Sequence, residues 1–103
     1  MTLPAEFSTD LDTDTSLLVL RGEVDEGACI LLRQEIGEAT AGLTKPLRID
    51  LTEVTFLPSA AVGVLATSRA TAAKNGADIE LVAQEGTIAQ RVLTICGLPH
   101  VTP

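Results

Sequence analysis

"LRIDLTEVTFLPSAAVGVLATSRATAAKNGADIELVA", Leu47 to Ala83, holds two apolar runs separated by a run of small residues. In the first run Leu47, Ile49 and Leu51 alternate with Arg48, Asp50 and Thr52, the two-residue period of a strand with one buried face. Pro58 interrupts that period. From Ser59 onward the spacing is helical: Ala61, Leu65, Ser68 and Ala72 fall on one stripe with Val62, Ala66 and Ala73 beside it, and Gly76 stops the helix. "DIELVA", Asp78 to Ala83, then reads as a second strand. A strand, a helix and a strand in that order imply a right-handed crossover between parallel strands.

The pattern extends in both directions. Downstream, Gln84 to Gly86 make a turn and a further helix begins at Thr87, whose spacing to Gln90 is that of a capping box. Ile88, Val92 and Ile95 supply its expected buried face, and Gly97 with Pro99 ends it. Upstream, Ala28, Leu32, Ile36, Ala39 and Leu43 recur at helical steps between Gly27 and about Gly42, with Gly42 as the expected terminating residue and Pro46 beyond it. The run Leu17 to Leu20 in "SLLVLRGEVD" predicts a strand buried on both faces. Phe7 to Leu11 alternates weakly, and "DTDTS", Asp12 to Ser16, joins the two as a hairpin. The expected fold is therefore α/β, in the order β-β-α-β-α-β-α, as a single domain over residues 1–103. It has a small, mostly parallel sheet of about four strands with helices packed mainly on one face.

Composition agrees with one small core. A chain of 103 residues is of single-domain size, 46% of it is apolar, and with only Phe7 and Phe56 as aromatics the core must be aliphatic. Acidic residues outnumber basic ones 14 to 7, and the basic ones form no run, so no nucleic-acid footprint is present. The net charge of −7 suits a partner carrying a basic patch. No stretch reaches the roughly 18 apolar residues of a membrane span, and "MTLPAEFSTD" has neither the basic nor the apolar region of a secretion signal, so a cytoplasmic location is expected. Cys29 and Cys96 lie in no C-x-x-C pair and near no histidine in sequence. They are expected to be buried reduced thiols, with no metal site.

Enzyme constellations are missing. His100, the one histidine, sits in the tail "GLPHVTP", no glycine-rich phosphate loop is present, and the paired carboxylates of "VDE" and "DTD" read as solvated loop residues. No catalytic residue and no cofactor are expected. Ser59 remains: directly after Pro58 and ahead of a helix it is expected to be the N-cap, accepting from the amide of Ala61 or Val62. The same helix start favours an anion, so a phosphate on Ser59 would be tolerated by the domain. Ala60, Gly63, Val64, Thr67, Thr71 and Lys74 project outward beside it, a face of small side chains that would allow a partner to approach closely.

In this order the motifs resemble the STAS domain family, the bacterial anti-sigma factor antagonists and related modules. "LRGEVD", Leu20 to Asp25, is similar to the family's strand end. "RIDLTEVTFLPSAAVGVLATSRATAAKNGADIELV" is similar to its central block, and "VLTICGLPHV" to its closing helix. The resemblance covers nearly the whole chain. It implies a cofactor-free module acting by protein contact: an antagonist that binds an anti-sigma factor of the GHKL serine-kinase type and so releases a sigma factor. Phosphorylation of the serine at the start of the second helix would reverse this binding, and a phosphatase would reset it. By the same resemblance Ser59 is the phosphoacceptor, and Glu23, Asp25, Pro58, Ala60, Gly63, Val64 and Thr67 lie in the partner-binding face. The family's Asp before the serine is Pro58 here, and its Ser/Ala-Gly after it is Ala60-Ala61. Two other roles open to the family, a subunit of an ABC-type lipid or solute transporter and a scaffold in a stress assembly, do not need the Asp-Ser pair.

Overall fold

The computed structural model describes residues 6–103; the reading of the first five residues lies outside them. The elements are β1 (Ser8–Asp12), β2 (Leu17–Glu23), α1 (Glu26–Ala39), β3 (Leu47–Phe56), α2 (Ser59–Lys74), β4 (Ile79–Val82) and α3 (Ile88–Ile95), in the order expected. They form a four-stranded sheet in which β1, β2, β3 and β4 lie side by side. β1 is antiparallel to β2, and the other two pairings are parallel. Beyond β4, Val101 forms one further parallel bridge to Val82, with its amide donating to Leu81 O at 2.9 Å.

One side of the sheet makes the core. Leu18 and Leu20 of β2, Leu47, Ile49 and Leu51 of β3, and Ile79 and Leu81 of β4 are buried and join Leu32 and Ile36 of α1, Leu65 of α2 and Leu93 of α3 in one aliphatic cluster. The other side is polar, with Arg21 paired to Asp10 and Glu53 and Arg48 paired to Glu80 at the surface. The expectation that Leu17–Leu20 is buried on both faces is therefore corrected: Leu18 and Leu20 are buried, whereas Leu17 and Val19 are half-buried on the helix-free side. A run of apolar residues in a strand does not by itself distinguish one covered face from two.

Several cross-connections share one spacing. Arg21 to Glu53, Arg48 to Glu80, Asn75 to the carbonyl of Leu43, and the Gln84 amide to Thr52 Oγ1 each join residues 32 apart. One strand plus one helix advances the chain by that length.

The helix ends repeat a motif too. Beyond α2 and α3, Gly76 and Gly97 take positive φ, and the following amides of Ala77 and Leu98 donate back to Ala72 O and Leu93 O. These are Schellman closures. α1 closes likewise, with Gly42 N donating to Gly37 O at 2.8 Å, but the left-handed residue there is Ala41 at φ 49°. Gly42, expected to terminate the helix, is one position further on.

α3 is turned from its expected orientation. Ala89 and Leu93 are fully buried, Val92 is half-buried, and Ile88 and Ile95 face solvent. The expected core face, the stripe of larger side chains, lies outward, and the space over β3 is filled by the neighbouring stripe instead. The capping box is also only half made. Thr87 Oγ1 accepts from the Gln90 amide at 3.2 Å, while the Gln90 side chain runs forward to Thr94 Oγ1. The cysteine expectation fails as well: Cys29 is half-buried, and Cys96, at the C-cap of α3, is exposed. Cys96 lies next to the outward stripe, so turning the helix carried it outward.

Candidate functional site

Parallel strands deliver their C-terminal ends, and the loops that follow, to one edge of a sheet. Here β2 runs into the loop before α1 and β3 into the loop before α2. Glu23 is in register with Phe56, and the amide of Val24 donates to Phe56 O at 2.9 Å, which ties the two loops together. Glu23, Asp25, Pro58, Ser59 and Ala60, named separately by the sequence, thus share one edge. The register shifts between Val19 and Arg21 and again between Gly22 and Glu23, with Gly22 at φ 86°. Such irregularities bend a strand end and redirect its side chains, and only glycine takes that φ without strain.

The two helix starts are built differently. Asp25 caps α1: its Oδ1 accepts from the Ala28 amide at 2.8 Å, and its carbonyl accepts from Cys29 N. α2 has no side-chain cap. Its N-cap is Pro58, in extended backbone at φ −74° and ψ 168°, whose carbonyl accepts from Ala61 N at 3.0 Å and Val62 N at 3.1 Å. The expected capping role of Ser59 is therefore corrected. Proline cannot donate and holds the φ that an N-cap tolerates, so the helix starts one residue earlier. Ser59 becomes its first full residue, exposed, with its hydroxyl not engaged as a cap.

Along α2, Ala60, Gly63 and Thr67 are exposed as expected, but Val64 is not: it is 5% exposed and belongs to the core cluster. α2 packs against α1 as well as beside β4, so its buried arc is wider than a helix lying on a sheet alone would show. Val64 falls inside that arc and drops out of the candidate contact face. Ala73, placed toward the sheet by the helical projection, is exposed.

One residue at this edge was missed. Phe56 is 49% exposed, at the end of β3 and two residues before Pro58. The doublet Phe56-Leu57 carried the signal, because only one of two adjacent strand residues can face the core, and Leu57 is the buried one. The edge now has an exposed aromatic, an exposed serine at a helix start, and the carboxylates of Glu23 and Asp25. Close by in sequence, burial pushes the Cys29 thiol above its ordinary range, and the Asp25 carboxylate adds to that rise. Among the described residues no group of His, Cys, Asp or Glu could hold a metal ion, and no helix is long and apolar enough to cross a membrane.

The family model described as Mlab, STAS domain, matches residues 7–103. The chain belongs to the STAS domain family. Solved structures of similar fold align over nearly the full length. An anti-sigma factor antagonist from Mycobacterium paratuberculosis is 26% identical with a TM-score of 0.78, the alignment covering 100% of this chain and 91% of that one. The anti-sigma factor antagonist SpoIIAA in its unphosphorylated form is 21% identical with a TM-score of 0.70, over 95% of this chain and 88% of that one. The Bacillus cell fate determinant SpoIIAA in the phosphorylated form is 21% identical with a TM-score of 0.67, over 95% and 91%. The STAS fold of this chain thus has known counterparts among anti-sigma factor antagonists.

Proposed function

We propose that this STAS domain is an anti-sigma factor antagonist. It binds an anti-sigma factor of the serine-kinase type through the edge formed by Glu23, Asp25, Phe56, Pro58, Ser59 and Ala60 and the outer side of α2 at Gly63 and Thr67. Binding withdraws the anti-sigma factor from its sigma factor, and phosphorylation of Ser59 ends it. The domain acts by contact rather than catalysis.

The observation that carries this reading is the exposed position of Ser59 at the uncapped start of α2. A serine used as a cap would have its oxygen committed to a helix amide; this one is available to a kinase. A phosphate there adds about −1.5 to −2 charges, and the helix start accommodates negative charge. The free domain therefore tolerates the modification, whereas an interface closing over the same edge would have to desolvate it, which costs about 2 to 5 kcal/mol for an unpaired charge. The likeness to a 26% identical anti-sigma factor antagonist supports the partner class.

A second reading, a transporter-associated STAS subunit with an unmodified serine, is favoured by Pro58, which stands where the antagonists' aspartate would be. Affinity capture from a lysate of the source organism separates the two, using wild type, Ser59→Ala and Ser59→Asp with bound proteins identified by mass spectrometry. The antagonist reading expects wild type and Ser59→Ala to capture a kinase-fold anti-sigma factor and Ser59→Asp to lose it. Equal capture of a transporter ATPase by all three would overturn it.

A further inference from the structure

β4 is the last strand of the sheet, and its outer edge is only half covered. The amide of Leu47 in β3 donates to Asp78 O, so the alternate residues Ile79, Leu81 and Ala83 turn their peptide groups outward. The C-terminal tail meets this edge at one residue: Val101 N donates to Leu81 O at 2.9 Å, and Ala83 N donates to Val101 O at 3.0 Å. To lengthen that parallel ladder, residues 99 and 103 would have to donate to the carbonyls of Ile79 and Ala83. Both are proline and have no N–H to give. The tail is thus confined to a single bridge. Among the described residues the N–H and C=O of Ile79 and the N–H of Leu81 have no hydrogen-bond partner. A cavity of about 230 Å³ opens beside them, bordered by Asp78–Leu81 on one side and Pro99–Val101 on the other, with Arg69 of α2.

An unpaired strand edge takes up extended chain through main-chain hydrogen bonds. A strand without proline at the donor positions would replace the tail's two bonds with four, to Ile79 O and Leu81 O and from Leu81 N and Ala83 N. Charge sets its character. In the register of the Val82–Val101 bridge, alternate residues of such a strand stand beside Glu80 and Asp78. Asp78 is exposed and makes no ion pair among the described residues, while Glu80 is held by Arg48. Lysine or arginine therefore fits there, as it fits a protein of net charge −7. A second copy does not: two-fold pairing of β4 with its counterpart sets Glu80 against Glu80 when centred on that residue, or Asp78 against Glu80 when centred on Ile79.

We propose that the free edge of β4 is a strand-addition site for an extended basic segment of another protein, which takes the place of the proline-bounded tail and runs parallel to β4. The edge does not include Ser59, and its use does not depend on phosphorylation there.

The probe is a fluorescent synthetic peptide of about ten residues, made of valine and threonine with two lysines at alternate positions, titrated against the full chain by anisotropy. Binding should slow hydrogen exchange at the Ile79 and Leu81 amides. N-methylation of the peptide's central residues removes its donors and should weaken binding about tenfold or more. Glutamates in place of the lysines should weaken it as well. Val101→Pro removes the tail's own donor and should strengthen binding severalfold, with a thermal melt confirming an intact fold; the methylated peptide tests the same edge on the unaltered chain. No binding at millimolar peptide, equal binding of the methylated or glutamate peptide, exchange protection away from β4, or an unchanged affinity in folded Val101→Pro would each overturn the proposal.

Discussion

α1 and α2 both begin at the same sheet edge, after parallel strands, yet one start is closed and the other open. Asp25 occupies an α1 amide with its carboxylate, whereas Pro58 offers α2 only its carbonyl. A capped start serves stability; an uncapped one leaves amides and a hydroxyl facing outward at some cost in stability. Two adjacent helix starts thus differ in kind: the Asp25 carboxylate is committed to an α1 amide, whereas the Ser59 hydroxyl is exposed and not engaged as a cap.

The largest test of this division lies just inside α2. Val64→Ala should cost about 2 kcal/mol in chemical denaturation, because a buried methyl pair is lost and a cavity left. Replacing the exposed neighbour Thr67 with alanine should cost almost nothing. If the two cost the same, the boundary between core and contact face is drawn wrongly. Next comes Asp25→Ala, expected to lower stability by about 1 kcal/mol through loss of the cap. Ala41→Gly should raise it by about 0.5 to 1 kcal/mol, since glycine relieves the left-handed conformation at the one Schellman closure that lacks it. That gain, read as a rise in the unfolding midpoint, would show that the α1 end is not constrained by anything beyond its backbone.

The smallest effect is expected at the open start. Ser59→Ala should change stability by less than about 0.5 kcal/mol, in contrast to Asp25→Ala; a loss as large as that of the aspartate would return Ser59 to a capping role. The cysteines extend the comparison to chemistry. The Cys29 thiol is raised by burial and by Asp25 and is half-buried, whereas the Cys96 sulfur is open to a reagent. Alkylation followed by mass spectrometry should therefore label Cys96 several-fold faster. The sign is that of a raised acid: whatever stability Cys29 contributes is complete below the unfolded thiol value and is lost as pH rises through the folded one.

The fold was readable because its signals are local and redundant. Period two in Leu47–Leu51, helical spacing through Ala61–Ala72 and glycine or proline at the joints each indicate an element without knowledge of its neighbours. Which side of a helix faces inward was less readable, because that depends on what lies against it. Val64 was placed outside because α2's contact with α1 leaves no mark in α2's own sequence. In α3 the stripe of Ile88, Val92 and Ile95 offers three branched apolar side chains against only Ala89 and Leu93 on the neighbouring stripe, so apolar content alone points to the wrong side. Of the candidate edge, Glu23, Asp25 and Ser59 were legible as residue types, and the structure places them at one end of the sheet. The missed part, Phe56, depended on a strand end where alternation breaks, and the capping error came from giving the N-cap to a side chain when a proline carbonyl suffices.

The 32-residue offset shared by four cross-connections bears on how the chain finds its shape. Bringing together residues separated by equal lengths of chain carries nearly equal closure entropy. Proximity therefore gives none of these joints a kinetic head start, and among the described residues only the β1–β2 hairpin is closed by a short turn. Assembly order must then follow how much apolar surface each joint removes from water. β2 and β3 share the longer of the two parallel registers, so that pairing is expected to weigh most in the folding rate, in a chain that folds more slowly than a helical bundle of its size.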